Sequence, residues 1–124
     1  AHTDQRESID QQRDMALLDA AQSGFEQRIL SLLDSSTDVN HAANDGRTAL
    51  MLACQNGHDA CALALLDAGA KVDLIDDAEW TALALAAQRG CEACVRALIK
   101  AGANVNTSVK GGWSPLMFTA ARGH

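Results

Sequence analysis

A spacing of 33 residues recurs along the sequence and constrains the fold more than any other feature. Glycines keep this spacing at Gly24, Gly57, Gly90 and Gly123. Leucines keep it at Leu17, Leu50, Leu83 and Leu116. A repeat of this length is typical of solenoids, in which each unit buries its apolar face only by stacking on its neighbours. We therefore expect a single domain over residues 1–124.

Each unit carries the signals of two short helices and a loop. Hydroxyl residues suited to capping a helix N-terminus recur at Thr48, Thr81 and Ser114, and Pro115 follows in a first-turn position that tolerates proline. The recurrent glycine then ends the first helix in the left-handed conformation. A second helix ends near Gly69, and the Asp- and Asn-rich segment after it predicts a hairpin-like loop.

The same spacing divides the chain into units. We expect repeats over about 15–42, 43–75 and 76–108, a partial fourth at 109–124, and a polar helical lead-in at 1–14 that caps the stack. Because the fourth unit stops where its second helix should begin, its neighbour is left partly open. We expect the natural protein to continue past this end or a neighbouring chain to cover it. On oligomeric state, we expect a monomer or a part of a larger chain.

Several stretches resemble the ankyrin repeat family. Residues 44–58, NDGRTALMLACQNGH, are similar to the family pattern D-x-x-G-x-T-P-L-H-x-A-A-x-x-G-H. Residues 65–73, LLDAGAKVD, and 98–106, LIKAGANVN, resemble its L-L-x-x-G-A-x-V-N ending. The resemblance implies an all-α solenoid of stacked helix-turn-helix pairs joined by hairpin-like loops, and a function in binding other proteins.

The sequence departs from the family pattern at a few positions. Ala49 and Ala82 replace the proline of the T-P-L-H segment. Glu79 stands at the turn position that Gly46 and Gly112 fill in neighbouring units.

Composition and motifs exclude several classes of function. The formal net charge of −6 argues against nucleic-acid binding and favours a basic or neutral partner. No apolar run is long enough to span a membrane, so we expect no membrane insertion. The sequence has no phosphate-binding loop, no H-E-x-x-H and no G-x-S-x-G. We expect neither an enzyme nor a cofactor.

The cysteines offer one alternative to a purely structural role. Cys91 and Cys94 form a C-x-x-C, and His58 and Cys61 lie one repeat earlier, so the four side chains could bind zinc. Packed helix axes lie roughly 8–10 Å apart, which is too far for ligands about 2.0–2.3 Å from one ion. The same separation argues against a Cys61–Cys94 disulfide. We expect four free thiols, counting Cys54, and an intracellular location in the cytoplasm or nucleus.

The resemblance also implies where partners bind. In ankyrin repeat proteins the loop tips and first helices line a concave face. Carried over by motif position, the partner-binding residues are Asn44, Asp45, Arg47, Gln55, Asn56, Asp77, Trp80, Gln88, Arg89, Lys110, Trp113 and Arg122.

The two tryptophans of the chain share one phase of the repeat. Trp80 and Trp113 lie 33 residues apart in the same row as Arg47. Trp and Arg are enriched at binding hot spots, so these residues are candidates for the centre of a partner site. The alternative is that each tryptophan packs along the adjacent loop and shields it. Both interpretations stay open at this point.

Three functions remain in competition. The first is a scaffold or adaptor module that binds another protein or peptide. The second is a regulatory or targeting segment of a larger enzyme or channel. The third is a reader of cationic side chains such as methyl-lysine, with Trp80 and Trp113 beside Asp77 and Glu79.

Two asparagines stand at the family's V-N position. The resemblance implies that Asn40 and Asn106 are potential targets of an asparaginyl hydroxylase. The alternative is that these side chains hold the loop by hydrogen bonds to their local backbone.

Overall fold

A computed structural model describes the backbone of residues 2–33 and 37–104, and the side chains from residue 12 onward within these ranges. The described residues form six helices, which are α1 (His2–Ser23), α2 (Glu26–Leu32), α3 (Ala49–Gln55), α4 (Asp59–Asp67), α5 (Ala82–Arg89) and α6 (Glu92–Lys100). Among these residues, no helix combines the length and the apolar character needed to cross a membrane.

The helices pack in consecutive pairs, and the pairs form two layers. Each unit contributes one pair, α1 with α2, α3 with α4, and α5 with α6. The first helices contact one another in the order α1, α3, α5, and the second helices in the order α2, α4, α6. This arrangement confirms the predicted all-α repeat solenoid.

Loops between the pairs begin and end close together, as the sequence predicts. Ala42 and Thr48 form an isolated antiparallel bridge, and Ile75 and Thr81 form the equivalent bridge one unit later. Within the described part of the chain, pairing of extended segments goes no further than these bridges. The loops are therefore hairpin-like, without a sheet.

Threonine caps start the first helices of the second and third units. The Thr48 hydroxyl accepts a hydrogen bond from the Met51 amide at 3.4 Å, and the Thr81 hydroxyl accepts one from Ala84 at 3.1 Å. Each bond satisfies an amide that has no partner within its own helix. The predicted capping role of both threonines is confirmed.

The core follows the 33-residue spacing. Leu17, Leu50 and Leu83 are fully buried, one in each first helix. Alanines such as Ala53 and Ala86 fill the space between the leucines and are also fully buried. Because alanine is small, neighbouring first helices can approach closely while the leucines fill the layer beneath.

Positive φ angles occur where the sequence predicts turns. Gly90 caps α5 with φ of 82°, and Gly46 has φ of 83° at the loop tip of the second unit. Glu79, at the equivalent position of the third unit, has φ of 65°. Among the described residues it is the only residue other than glycine with a positive φ, so it holds a conformation that disfavours a side chain.

The first helix begins well before the first predicted repeat. α1 runs without interruption through residue 14, where the lead-in is predicted to meet the first unit. The partial fourth unit at 109–124 lies outside the described residues.

Candidate partner-binding surface

A groove of about 540 Å³ opens between α1 and α3, beside the loop that joins α2 to α3. Helix α1 supplies one wall, α3 supplies the other, and the loop closes one side. The lining residues are Met15, Leu18, Asp19, Gln22, His41, Ala42, Ala43, Asn44, Asp45, Arg47, Leu52, Gln55 and Asn56.

The groove brings together every residue predicted for partner binding in the second unit. These residues are Asn44, Asp45, Arg47, Gln55 and Asn56. The loop tip and the end of α3 meet here through the hydrogen bond from Arg47 Nη1 to Gln55 Oε1, at 2.6 Å. The five residues therefore lie on one continuous surface, and the binding of a partner there stays a prediction.

Residues of α1 were missed by the sequence prediction. Met15, Leu18, Asp19 and Gln22 form the opposite wall, although the first unit lacks the family's loop motif. A signal was present, because Gln22 precedes Gln55 by one repeat length. Extending the contact positions one unit towards the N-terminus would have identified Gln22 but not Met15, Leu18 or Asp19.

The groove has an apolar strip. Met15, Leu18 and Leu52 supply it, and Met15 is 61% exposed despite its size. An accessible methionine can adapt its shape to varied apolar side chains of a partner, because the thioether chain is flexible.

Arg47 is held in place within the groove wall. Its Nε donates to Asp76 Oδ2 at 3.2 Å, and its Nη1 donates to Gln55 Oε1 at 2.6 Å. The Arg47 side chain is 27% exposed, whereas that of Asp76 is 2% exposed. The guanidinium therefore links two successive units and orients Gln55, and its charge is largely offset by a buried carboxylate.

Asp76 organises the loop of the third unit. Its Oδ1 accepts from the amides of Ala78 at 2.9 Å and Trp80 at 2.8 Å, while its Oδ2 accepts from Arg47. A buried carboxylate is tolerated only when its oxygens are satisfied in this way. Asp76 was absent from the predicted site, although it is the opening Asp of the D-x-x-G-x-T pattern in this unit.

The charge of the groove is negative on balance. Asp19 is exposed, and the side chain of Asp45 is 62% exposed. Arg47 lies 3.8 Å from Asp45 and is already paired with Asp76. The carboxylates of α1 and of the loop tip thus face the groove with little compensating positive charge.

Predicted site residues of the third unit lie next to the groove and do not line it. The Asp77 amide donates to the Asp45 carbonyl at 2.9 Å, which joins the two loop tips. Arg89 passes close to Gly57, where an added Cβ would lie 3.3 Å from its Nε. Gln88 is exposed at the end of α5.

Trp80 occupies an intermediate position. It is half-buried and packs against the hydrophobic core, and its amide is bound by Asp76. The packing interpretation of this tryptophan thus has direct structural support, and its role in partner binding stays a prediction. Lys110, Trp113 and Arg122 lie outside the described residues, so the pairing of the two tryptophans stays a prediction.

All four cysteines are free thiols. Cys94 is fully buried and contacts Cys54 and Cys91. The hydrogen bond to Cys54 and burial raise the pKa of Cys94, and burial raises that of Cys61. Across residues 2–33 and 37–104, no group of three or more His, Cys, Asp or Glu side chains is arranged to hold a metal ion.

The Asn40 side chain has a structural role, but its hydrogen-bond partner lies in the next loop and not in its local backbone. Its Oδ1 accepts from the Lys71 amide of the next loop at 2.8 Å, 31 residues away. Its own backbone amide donates to Asp38 Oδ1 at 3.0 Å. The side chain therefore ties two units together and does not bond its local backbone. Asn106 lies outside the described residues.

Comparison with known proteins agrees with this architecture. The family model for ankyrin repeats, which spans three copies of the repeat, matches residues 2–76 and 69–124. No individual curated protein matches the chain. The helix pairs, the capped first helices, the hairpin-like loops and the family match lead to one conclusion: the chain belongs to the ankyrin repeat family, whose members are in general protein–protein interaction modules.

Proposed function

We propose that the chain binds a partner polypeptide in the groove between α1 and α3 and acts as a scaffold or adaptor without catalysing a reaction. The observation that carries the proposal is the groove itself, which joins the five predicted residues of the second unit to an accessible wall of α1. The free thiols support an intracellular location, in the cytoplasm or nucleus, as part of the same proposal.

The dimensions and lining of the groove suit a peptide segment. A volume of about 540 Å³ is within the range of ligand-binding clefts, which run from roughly 300 to 1,000 Å³. Met15, Leu18 and Leu52 offer an apolar centre, and the polar ends of α1 and α3 flank it. An apolar centre with a polar rim is the usual composition of a protein interface. We expect the bound segment to insert one large apolar side chain beside Met15.

The charges favour a basic segment. Asp19 and Asp45 are exposed in the groove, while the charge of Arg47 is offset by Asp76. The net charge of the whole chain, −6, has the same sign. Lysine or arginine side chains on the partner would therefore be attracted during encounter and oriented once bound.

A longer partner would extend towards the third unit. The loop tips of the two units are joined by the hydrogen bond between Asp77 and Asp45, so the surface is continuous from the groove to Trp80. We include Trp80, Gln88 and Arg89 in the proposed surface on this ground, as a second contact region whose contribution is smaller than that of the groove.

Selection from a random phage-displayed peptide library, with the chain as target, tests the proposal. We expect enrichment of peptides that combine lysine or arginine with one large apolar residue. The Asp19→Lys variant should then bind a selected peptide about tenfold more weakly, because it reverses a charge in the groove. Increasing salt should weaken the wild-type complex as well.

Asp67→Lys is the matched control. Asp67 is exposed at the end of α4, in the other helix layer, and its substitution changes the net charge by the same amount. We expect it to leave binding within twofold of the wild type, on the reasoning that an exposed charge outside an interface contributes little. Equal losses in both variants, or enrichment of acidic peptides, would contradict the proposed groove. A urea titration of each variant establishes that folding is retained.

A further inference from the structure

Two thiols meet at the start of α6. Cys91 is the residue that precedes the helix, and Cys94 lies in its first turn. The Cys91 Sγ donates to the Cys94 Sγ across 2.8 Å. The backbone at Cys91 is extended, with φ of −85° and ψ of 91°, which turns its side chain towards the helix.

The two thiols differ in exposure. Cys91 is half-buried and accessible to small solutes, whereas Cys94 is fully buried. Thiol–disulfide exchange requires one thiol that a small disulfide can reach and a second that reacts with the mixed disulfide formed on the first. Cys91 is the thiol that a small disulfide can reach, and Cys94 is the second thiol. Their sulfur atoms are separated by about 0.8 Å more than the roughly 2.05 Å length of a disulfide bond.

We propose that Cys91 and Cys94 are a redox modification site. The two cysteines form a reversible intramolecular disulfide, and the oxidant is a low-molecular-weight disulfide such as oxidised glutathione. The Cys91 thiolate attacks one sulfur of the small disulfide and releases the first small thiolate. The Cys94 thiolate then attacks the Cys91 Sγ and releases the second. The two protons lost by the cysteines end on the two small thiols, so the protein is oxidised by two electrons and the small disulfide is reduced.

The environment of the pair makes this exchange slow at neutral pH. Burial, followed by the hydrogen bond to Cys94 and the charge of Asp59, raises the pKa of Cys91 to about 11. Below that pH the thiolate fraction, and with it the rate of attack, rises about tenfold for each pH unit. The facing groups are Cys94 on α6, Asp59 on α4, and Cys54 on α3, which contacts Cys94. The pair therefore suits a slow response to the thiol pool.

Trypsin digestion separates the four cysteines into two peptides. Cleavage after Arg89 and Arg96 yields peptide 90–96, which contains Cys91 and Cys94. Cleavage after Arg47 and Lys71 yields peptide 48–71, which contains the other two cysteines. The reduced protein is incubated with oxidised glutathione in mildly alkaline buffer, quenched with acid, denatured, alkylated and digested.

We expect peptide 90–96 to lose two hydrogen atoms and to carry no alkyl group, while peptide 48–71 carries two. Excess reduced glutathione should restore two alkyl groups to peptide 90–96. The Cys91→Ser variant changes only the half-buried residue, so its fold should be retained, and its Cys94 should stay alkylatable under the same oxidation.

Three results would overturn the inference. The first is peptide 90–96 with two alkyl groups after oxidation. The second is a glutathione adduct on Cys91 that persists beside an alkylated Cys94. The third is a link between peptides 48–71 and 90–96, which would show that Cys94 pairs with Cys54 instead.

Discussion

At the scale of single residues, Asp76 shows how one buried carboxylate sets the shape of a loop. Its oxygens accept from two amides of its own loop and from Arg47 of the preceding unit. The second unit has Ala43 at the equivalent position, and there Asp45 Oδ1 accepts from the Arg47 amide at 3.1 Å. The two loops thus reach similar backbone conformations with different side chains, and of these two described loops the third unit's alone has a buried acceptor for a neighbour's arginine.

Glu79 offers a direct test of backbone strain in the same loop. Its φ of 65° is in the left-handed region that glycine adopts without cost, and Gly46 has φ of 83° at the equivalent position. We expect Glu79→Gly to raise the free energy of unfolding by about 1 kcal/mol, because the steric penalty on the side chain disappears. The measurement is the urea midpoint, with the slope of the transition unchanged.

Glu79→Ala is the control for that substitution. Alanine removes the carboxylate but keeps a Cβ, so the φ penalty remains and the urea midpoint should stay near that of the wild type. If the alanine variant gained as much stability as the glycine variant, the effect would come from loss of the Glu79 charge, and the interpretation by strain would be wrong.

At the scale of elements, side chains at one repeat position join successive loops. Asn40 Oδ1 accepts from the Lys71 amide at 2.8 Å, and Asp73 Oδ1 accepts from the Asn104 amide at 3.0 Å. The two bonds are related by the 33-residue repeat. They tie the loop of each unit to the loop of the next.

Removing the first of these ties should have a local effect. In Asn40→Ala, the Lys71 amide loses its acceptor, and we expect its hydrogen exchange to accelerate by about tenfold, which corresponds to roughly 1.4 kcal/mol. Amides in the centres of α3 and α5 should change much less. Site-resolved hydrogen exchange by NMR measures both.

The chain itself suggests the matched variant. Because Asp73 makes the equivalent bond with a carboxylate, Asn40→Asp should keep the Lys71 amide protected. Loss of protection in both variants, or in neither, would show that the Asn40 side chain does not hold the next loop.

At the scale of the whole molecule, the core is shared between units. Cys54 of α3 contacts Cys94 of α6, although the two residues belong to different units and different helix layers. The helices also contact their neighbours along both layers, α3 with α5 and α4 with α6. A stack built from such contacts should open cooperatively over its second and third units.

Thiol alkylation under reducing conditions tests this cooperativity. Cys91 is half-buried and should react first, whereas Cys54, Cys61 and Cys94 are buried and should react only through opening. We expect the last three to show the same dependence of rate on urea, measured on peptides 48–71 and 90–96 after digestion. A weaker dependence for Cys94 alone would mean that the third unit opens independently of the second.

The local features of the fold could be predicted from the sequence because they depend on neighbouring residues. Thr48 and Thr81 cap helices through amides three residues away, and Gly90 ends α5 through its own backbone freedom. The spacing of 33 residues also determined which residues share a layer, since residues in phase lie at equivalent places in successive units. The second-unit half of the groove was predictable for the same reason.

Contacts between residues at different positions of the repeat depend on the tertiary structure and could not be predicted from the 33-residue spacing. Arg47 meets Asp76, which is 29 residues away, and Cys94 contacts Cys54, which lies at a different phase of the repeat. Such pairs depend on how far each loop reaches and how the two helix layers are offset, and these distances are set by the packing of whole side chains. The repeat and its caps therefore follow from local residue patterns, whereas the side chains that close the groove and the thiols that meet depend on tertiary packing.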